Sequence, residues 1–406
     1  MKRNQLYIAW TFVLASMMAC TDNTPAIHPL DEEASRIYLS AGIGEAVSSR
    51  TPYSGSPIKD EDNNILYEVP TTSHPLDVSV WASTDPDAFP YDPNERKNGK
   101  DGTVAIHTQA HFQSGAPQLL GEAIYPTDPD APEGEVGNPP TVYFVGFHPK
   151  SEVGSSWTPS NDNKVASFTF TGKEDVMFAP RIEGEYGTAY DQSPTFHFHH
   201  LLTCIRIEMI ADKAEEDVEK RKDVSEAWGE IKSLTISSKQ NVTVSNLSAG
   251  TFNSSNVAFG GEEVAMKLYQ TGTDNVFENM MIPHEEATEV AYVMCAPVVG
   301  DAQAPGANEG ENVTVPEYTL HIKTSQRELD IPIDLKKKNG EDSFTYFTGS
   351  TMGYQFLVQL NFKMGNVISV SAAISLDANT DWFTHGTGLK DLEEKDFNEK
   401  TNQESE

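Results

Sequence analysis

Apolar residues occupy alternate positions in one segment after another along this chain. Ile37, Leu39, Ala41 and Ile43 alternate with other residues, and so do Val78, Val80 and Ala82. The same pattern returns at Phe168 and Phe170, at Ile205, Ile207 and Met209, at Leu234 and Ile236, and at Val290, Tyr292 and Met294. It is cleanest late in the chain. Tyr318, Leu320 and Ile322 are followed by Leu329, Ile331, Ile333 and Leu335, then by Tyr354 through Phe362, and last by Ile368, Val370, Ala372, Ile374 and Leu376. A period of two predicts strands with one buried face. Residues 142–147 are apolar on both parities, which predicts a strand covered on both sides. Asn339-Gly340 and Gly365-Asn366 supply turn chemistry between the late strands. The fold class this predicts is all-β, with paired antiparallel strands in sandwiches.

Two stretches depart from the alternation. Residues 211–230 are rich in Lys and Glu, with Ala214, Val218, Val224 and Trp228 as isolated apolar points. They predict a short charged helix or a long connection, and a domain boundary falls there. The organisation expected is an N-terminal sandwich over 36–225, a C-terminal sandwich over 226–388, and an acidic, unstructured tail over 389–406. At the other end, Lys2 and Arg3 precede a mostly apolar run from Leu6 to Ala19. That run is too short to span a bilayer as a helix and suits the core of a signal peptide. It closes in Met17-Met18-Ala19-Cys20, which is similar to the bacterial lipobox, with Met17 where leucine is usual. The expectation is a signal over 1–19, lipid on Cys20, a polar tether over 20–35 and an exported lipoprotein displayed outside the cell.

The net charge of −32 excludes nucleic acid as a partner, because phosphate demands a basic face. It suits a solvated, self-repelling surface. Enzyme signatures fail one by one. Gly42-Ile43-Gly44 lacks the third glycine of a dinucleotide loop, Gly99-Lys100 and Gly172-Lys173 lack the following Ser or Thr of a phosphate loop, and His284-Glu285 has Thr288 where a second zinc-binding histidine would stand. Neither catalysis nor a cofactor is expected. His197, His199 and His200 could bring two imidazoles to one strand face, but no third ligand is evident, so hydrogen bonding on the strand is the reading. Asp85 and Asp87, like Asp128 and Asp130, suit turns better than calcium. Trp81, Trp157, Trp228 and Trp382 could form a sugar-stacking platform; Trp81 and Trp382, beside strand ends, suit core or edge packing better, and Trp157 is the stacking residue of a binding alternative. Cys204 and Cys295 sit in apolar runs, as buried thiols or as a disulfide that an oxidising compartment would permit.

The most informative stretch is the first strand together with the polar segment after it. The strand from Ile37 to Ile43 is joined to a polar stretch containing Ser48-Ser49-Arg50-Thr51. An arginine-specific protease could cut between Arg50 and Thr51. Loss of Ile37, Leu39, Ala41 and Ile43 would leave an unpaired edge and an apolar groove, a template for another chain.

Several short motifs, in order, resemble the fimbrillin family of Bacteroidales lipoprotein pilins. They are the signal ending at Cys20; Ile37-Tyr38-Leu39-Ser40-Ala41 followed by Ser49-Arg50-Thr51-Pro52; Val78-Ser79-Val80-Trp81-Ala82; and Ala123-Ile124-Tyr125-Pro126. Val142 to Pro149, Asp175 to Ala179, Phe196 to Leu202, Gly353 to Phe356, and Ile374 followed by Trp382 complete the series. The resemblance implies two transthyretin-like sandwiches in tandem, no catalysis, cleavage after Arg50, and polymerisation with other pilin subunits by strand exchange. It makes Ile368, Val370, Ala372, Ile374 and Leu376 the candidate donor strand. The tail beyond Trp382 departs from a stalk subunit and leaves an anchor, accessory or tip role equally open. The competing reading is a monomeric surface lipoprotein that keeps its first strand and binds a glycan or a protein.

Overall fold

The computed structural model describes residues 34–43, 56–59, 65–90, 104–132, 135–152, 154–273, 275–300, 317–338, 344–346, 349–365, 367–374 and 395–398. Strands dominate throughout. The first half carries β1 (Arg36–Ile43), β2 (Ser56–Lys59), β3 (Ile65–Val69), β4 (Leu76–Ser83), β5 (Ala105–Phe112), β6 (Gln118–Ile124), β7 (Val142–His148), β8 (Thr158–Pro159), β9 (Ala166–Thr169), β10 (Met177–Gly184) and β11 (Thr195–His200). The second half opens with β12 (Thr203–Ala211), helix α1 (Val218–Trp228), β13 (Glu230–Ser238), β14 (Asn241–Val244), β15 (Val257–Gly260) and β16 (Val264–Lys267). It continues through β17 (Tyr269–Gln270), β18 (Met280–Met281), β19 (Thr288–Cys295), β20 (Val299–Gly300), β21 (Glu317–Thr324), β22 (Glu328–Asp334), β23 (Lys336–Lys338), β24 (Phe344–Tyr346) and β25 (Gly349–Ser350). It ends with β26 (Gln355–Lys363), β27 (Val367–Ile374) and β28 (Lys395–Asn398).

One sheet runs β2-β3-β1-β11-β10-β7-β4-β5, with β6 also paired to β1. A second runs β17-β19-β12-β26-β27-β28, and a third β16-β13-β21-β22. The fourth, β15-β14-β9-β8, draws β8 and β9 from the first half and β14 and β15 from the second. Among the described residues antiparallel ladders prevail, with two parallel pairs, β1 with β11 and β12 with β26. Each parallel pair joins a strand that opens a core to one far along the chain.

Two apolar cores result. The first gathers Ile37, Leu39, Ala41, Ile43, Val78, Val80, Phe144, Met177, Phe196 and Phe198. The second is larger and includes Ile205, Ile207, Leu234, Ile236, Val293, Leu320, Ile322, Phe356, Val358, Leu360 and Ile368. Strand β7 explains why its residues are apolar on both parities. Val142 and Phe144 enter the first core, while Val145 and Phe147 enter the second beside Trp81, Trp157 and Phe168.

The charged segment 211–230 contains a helix. Asp217 caps its N-terminus by accepting a bond from the Glu219 amide at 3.0 Å, and Gly229 ends it with φ 72°. Val224 and Trp228 are buried in the second core, and the Trp228 indole donates to the Lys363 carbonyl at 2.9 Å. The Arg327 guanidinium lies 4.2 Å over that indole. Strand β12, which the sequence boundary assigns to the first domain, pairs with β19 and β26 of the second half. The composition of the tail predicts no structure, yet residues 395–398 form β28 along β27.

Candidate strand-exchange site

Strand β1 changes partners midway. Its first half pairs antiparallel with β6, Tyr38 opposite Leu119 and Leu39 opposite Gln118. Its second half pairs in parallel with β11, from Ser40 opposite Thr195 to Ile43 opposite Phe198. Beyond these, Ile43 meets Glu68 of β3. The strand is therefore a wall shared by all of these neighbours, and its place is interior. Ile37, Leu39, Ala41 and Ile43 are each at most 4% exposed, as period two requires of an inward face.

Hydrogen bonds line both flanks of this lane. The Ser40 amide donates to the Pro194 carbonyl at 3.0 Å, and the Ser40 and Thr195 hydroxyls are 2.6 Å apart. Before the strand, the Tyr125 amide donates to the Ser35 carbonyl at 2.7 Å, and the Gly187 amide to that of Ala34 at 3.0 Å. On the outer side, Tyr38 and Tyr190 meet edge to face at 5.2 Å. The core beneath the lane is aromatic. Phe196 and Phe198 are fully buried, and Gly146 lets the Phe198 ring approach so closely that an added Cβ would lie 2.8 Å from it.

Of the other sequence-selected positions, Cys20, Arg50, Thr51, Leu376 and Trp382 lie outside the described residues. Ile368 is buried in the second core, and Val370, Ala372 and Ile374 belong to β27, held between β26 and β28. The candidate donor and the β1 lane are in different sheets. A relation between them is invisible when each motif is taken singly. Ile37-Tyr38-Leu39-Ser40-Ala41-Gly42-Ile43 is echoed by Ile368-Ser369-Val370-Ser371-Ala372-Ala373-Ile374, identical at four of seven positions and with the alanine in register. Aligning the strands by their apolar parity brings it out.

The remaining candidates are structural. His200 Nδ1 lies 3.0 Å from Asp175 Oδ1, His199 stacks on Phe252 at 4.3 Å, and His197 is exposed. No metal-binding group of three ligands occurs among the described residues. Asp85 and Asp128 each accept a bond at 2.9 Å from the amide two residues on, which is turn formation. Sugar stacking by Trp157 is corrected. This indole is 4% exposed, lies between Phe147 and Phe168, and donates to the Pro149 carbonyl at 3.2 Å. Trp81 and Trp228 are buried as well. Cys204 and Cys295 are free thiols. Thr203 is opposite Cys295 and Cys204 opposite Met294, so the cysteines project from opposite faces of one sheet and cannot be bridged.

No family model matches the chain, and no curated protein does. Among solved structures, a cell adhesion candidate from Bacteroides uniformis is 14% identical, with a TM-score of 0.41 over 87% of this chain and 100% of that one. Another from Bacteroides ovatus is 13% identical, with a TM-score of 0.39 over 86% and 97%. The fimbrial anchor protein Mfa2 from Porphyromonas gingivalis is 9% identical, with a TM-score of 0.30 over 83% and 96%. Likenesses this distant decide no role for this chain.

Proposed function

We propose that this protein is a structural subunit of an adhesive surface appendage, assembled when β1 is removed and its lane is refilled by a strand from another subunit. The interior position of β1 carries the reading. A strand that supplies one inward face of a core, and is followed by a polar segment with Arg50, can be excised with a single cut. Refilling the lane with three or four side chains of the size of Ile37, Leu39, Ala41 and Ile43 contributes about 6–10 kcal/mol before ordering costs. The echo of β1 in β27 supports a second copy of this chain as donor, and giving up β27 requires it to leave β26 and β28. An arginine-specific surface protease and lipid on Cys20 at the outer membrane complete the scheme. Trp157 itself is buried, so it offers no stacking face to the glycan-binding alternative.

The test is N-terminal sequencing of the protein from native cell surfaces beside an unboiled denaturing gel. A start at Thr51 with a ladder of high-mass species is expected. A lipidated Cys20 on a purely monomeric product would refute assembly by strand exchange.

A further inference from the structure

We infer that the β2–β3 ribbon is a clasp that closes on whichever strand occupies the β1 lane, and is released when that lane is empty. This inference rests on the strand-exchange reading and goes beyond it by naming a second contact for the incoming strand.

The ground for it is connectivity. Among the described residues, strand β2 pairs only with β3, and β3 pairs with β2 and β1. The backbone pairing of this ribbon to the remainder of the sheet therefore runs through β1, at Ile43 opposite Glu68. On the far side of β1, β11 joins a sheet that continues through β10, β7 and β4, which survives without β1. Where β1 ends, its two neighbours are thus unequal: β11 is the edge of a braced sheet and β3 belongs to a two-stranded ribbon, while β6 pairs with the lane's first half. Such a ribbon is marginal in water without a third strand.

At its base the ribbon is pinned independently of β1. Val69 Cγ1 lies 3.1 Å from where a Cβ on Gly115 would stand, Pro70 is buried, and Thr71 and His74 exchange backbone bonds at 3.1 Å. That pin makes the base a hinge and the rest an arm. A cut after Arg50 leaves five residues ahead of Ser56, so the same cut that frees β1 also gives the ribbon a free end. An arriving strand is then bound from two sides in sequence. It pairs first with the standing edge of β11, and β3 then folds onto its other edge. The partner contact is made through the backbone, so it accepts any strand whose alternating side chains suit the lane.

Amide hydrogen exchange of residues 56–59 and 65–69 tests this, with β4 and β7 amides as the fold control. In the full chain, Ala41→Arg places a charge against Phe196 and expels β1 without a cut. Ribbon protection is expected to fall by ~10-fold or more while β4 and β7 hold theirs. If that variant also unfolds β4 and β7, the chain cut at Arg50 decides, measured with and without a synthetic peptide of residues 34–44. The peptide is expected to restore protection to the ribbon. Equal ribbon exchange with the lane empty and filled overturns the clasp. A polymer that forms with an unprotected ribbon also overturns it and leaves strand exchange standing. Ribbon protection that follows the peptide in a chain that never polymerises keeps the clasp and removes strand exchange.

Discussion

Leu39→Ala is the sharpest probe of the β1 lane. Leu39 is 1% exposed and belongs to the first core. Truncation removes three carbons, about 2.4 kcal/mol of transfer free energy at roughly 0.8 kcal/mol each. The aromatic floor at Phe196 and Phe198 collapses poorly, so a residual cavity of about 60 Å3 adds about 1.5 kcal/mol. The expected loss is therefore about 2.5–4 kcal/mol. It should be local. Native-state hydrogen exchange of β11 amides reads the first core, and β26 amides read the second. Leu360→Ala, an equally buried lesion on β26, serves as the mirror experiment and should weaken the second core instead. A loss below about 1 kcal/mol at β11 would mean that Leu39 is not packed as described, and the case for β1 as a core wall would fall with it.

Gly146→Val sets a branched side chain against the Phe198 ring and is expected to cost about 1–3 kcal/mol, read by urea denaturation. Burial holds the His107 and His199 imidazoles down to about 4 and pushes His148 down too, so the unfolded chain, near 6.5, takes up protons first as pH falls. Stability is full above that value and declines between about 6.5 and 4, and a His107→Phe, His199→Phe double variant should flatten the decline in denaturation midpoints. Both Cys204 and Cys295 are buried, with their thiol pKa values raised by desolvation, so neither should react with a thiol reagent until denaturant is added; labelling of the native protein would contradict their placement. Trp157→Ala is expected to destabilise the fold by about 3–5 kcal/mol, with no separate loss of sugar affinity on a glycan array.

Local alternation made many strands legible, because a strand covered on one face must alternate. Residues 318–324, 329–334, 355–363 and 367–374 are strands on that ground. It also made the lane legible, since Ile37, Leu39, Ala41 and Ile43 have one parity. Strand β5 was hidden, because His107, Gln109 and His111 put polar residues on a face where His107 stacks on Trp81 at 4.2 Å. Pairing was hidden more deeply. Nothing in Thr195–His200 announces a parallel bond to a strand 155 residues earlier, as Ser40 and Thr195 are. The place of β12 in the second half was concealed for the same reason, since a strand's own residues do not state its neighbours. Strand β28 lies in a segment whose composition is that of a disordered tail, and its order comes from the free edge of β27.

The two parallel pairings have a mechanical consequence. Tension along the chain enters β12 at Cys204 and leaves β26 at Phe362, opposite ends of a ladder that runs from Cys204–Gln355 to Ala211–Phe362. The ladder is therefore loaded in shear, with all its bonds strained together. In the uncut chain the same holds for β1 and β11, pulled at Ser40 and at Phe198. The antiparallel ladder of β9 and β14 is pulled at Ala166 and Val244, which face each other, so it peels one pair at a time. A chain under load at both ends yields first where the sheets are antiparallel, and the two parallel ladders bear the strain.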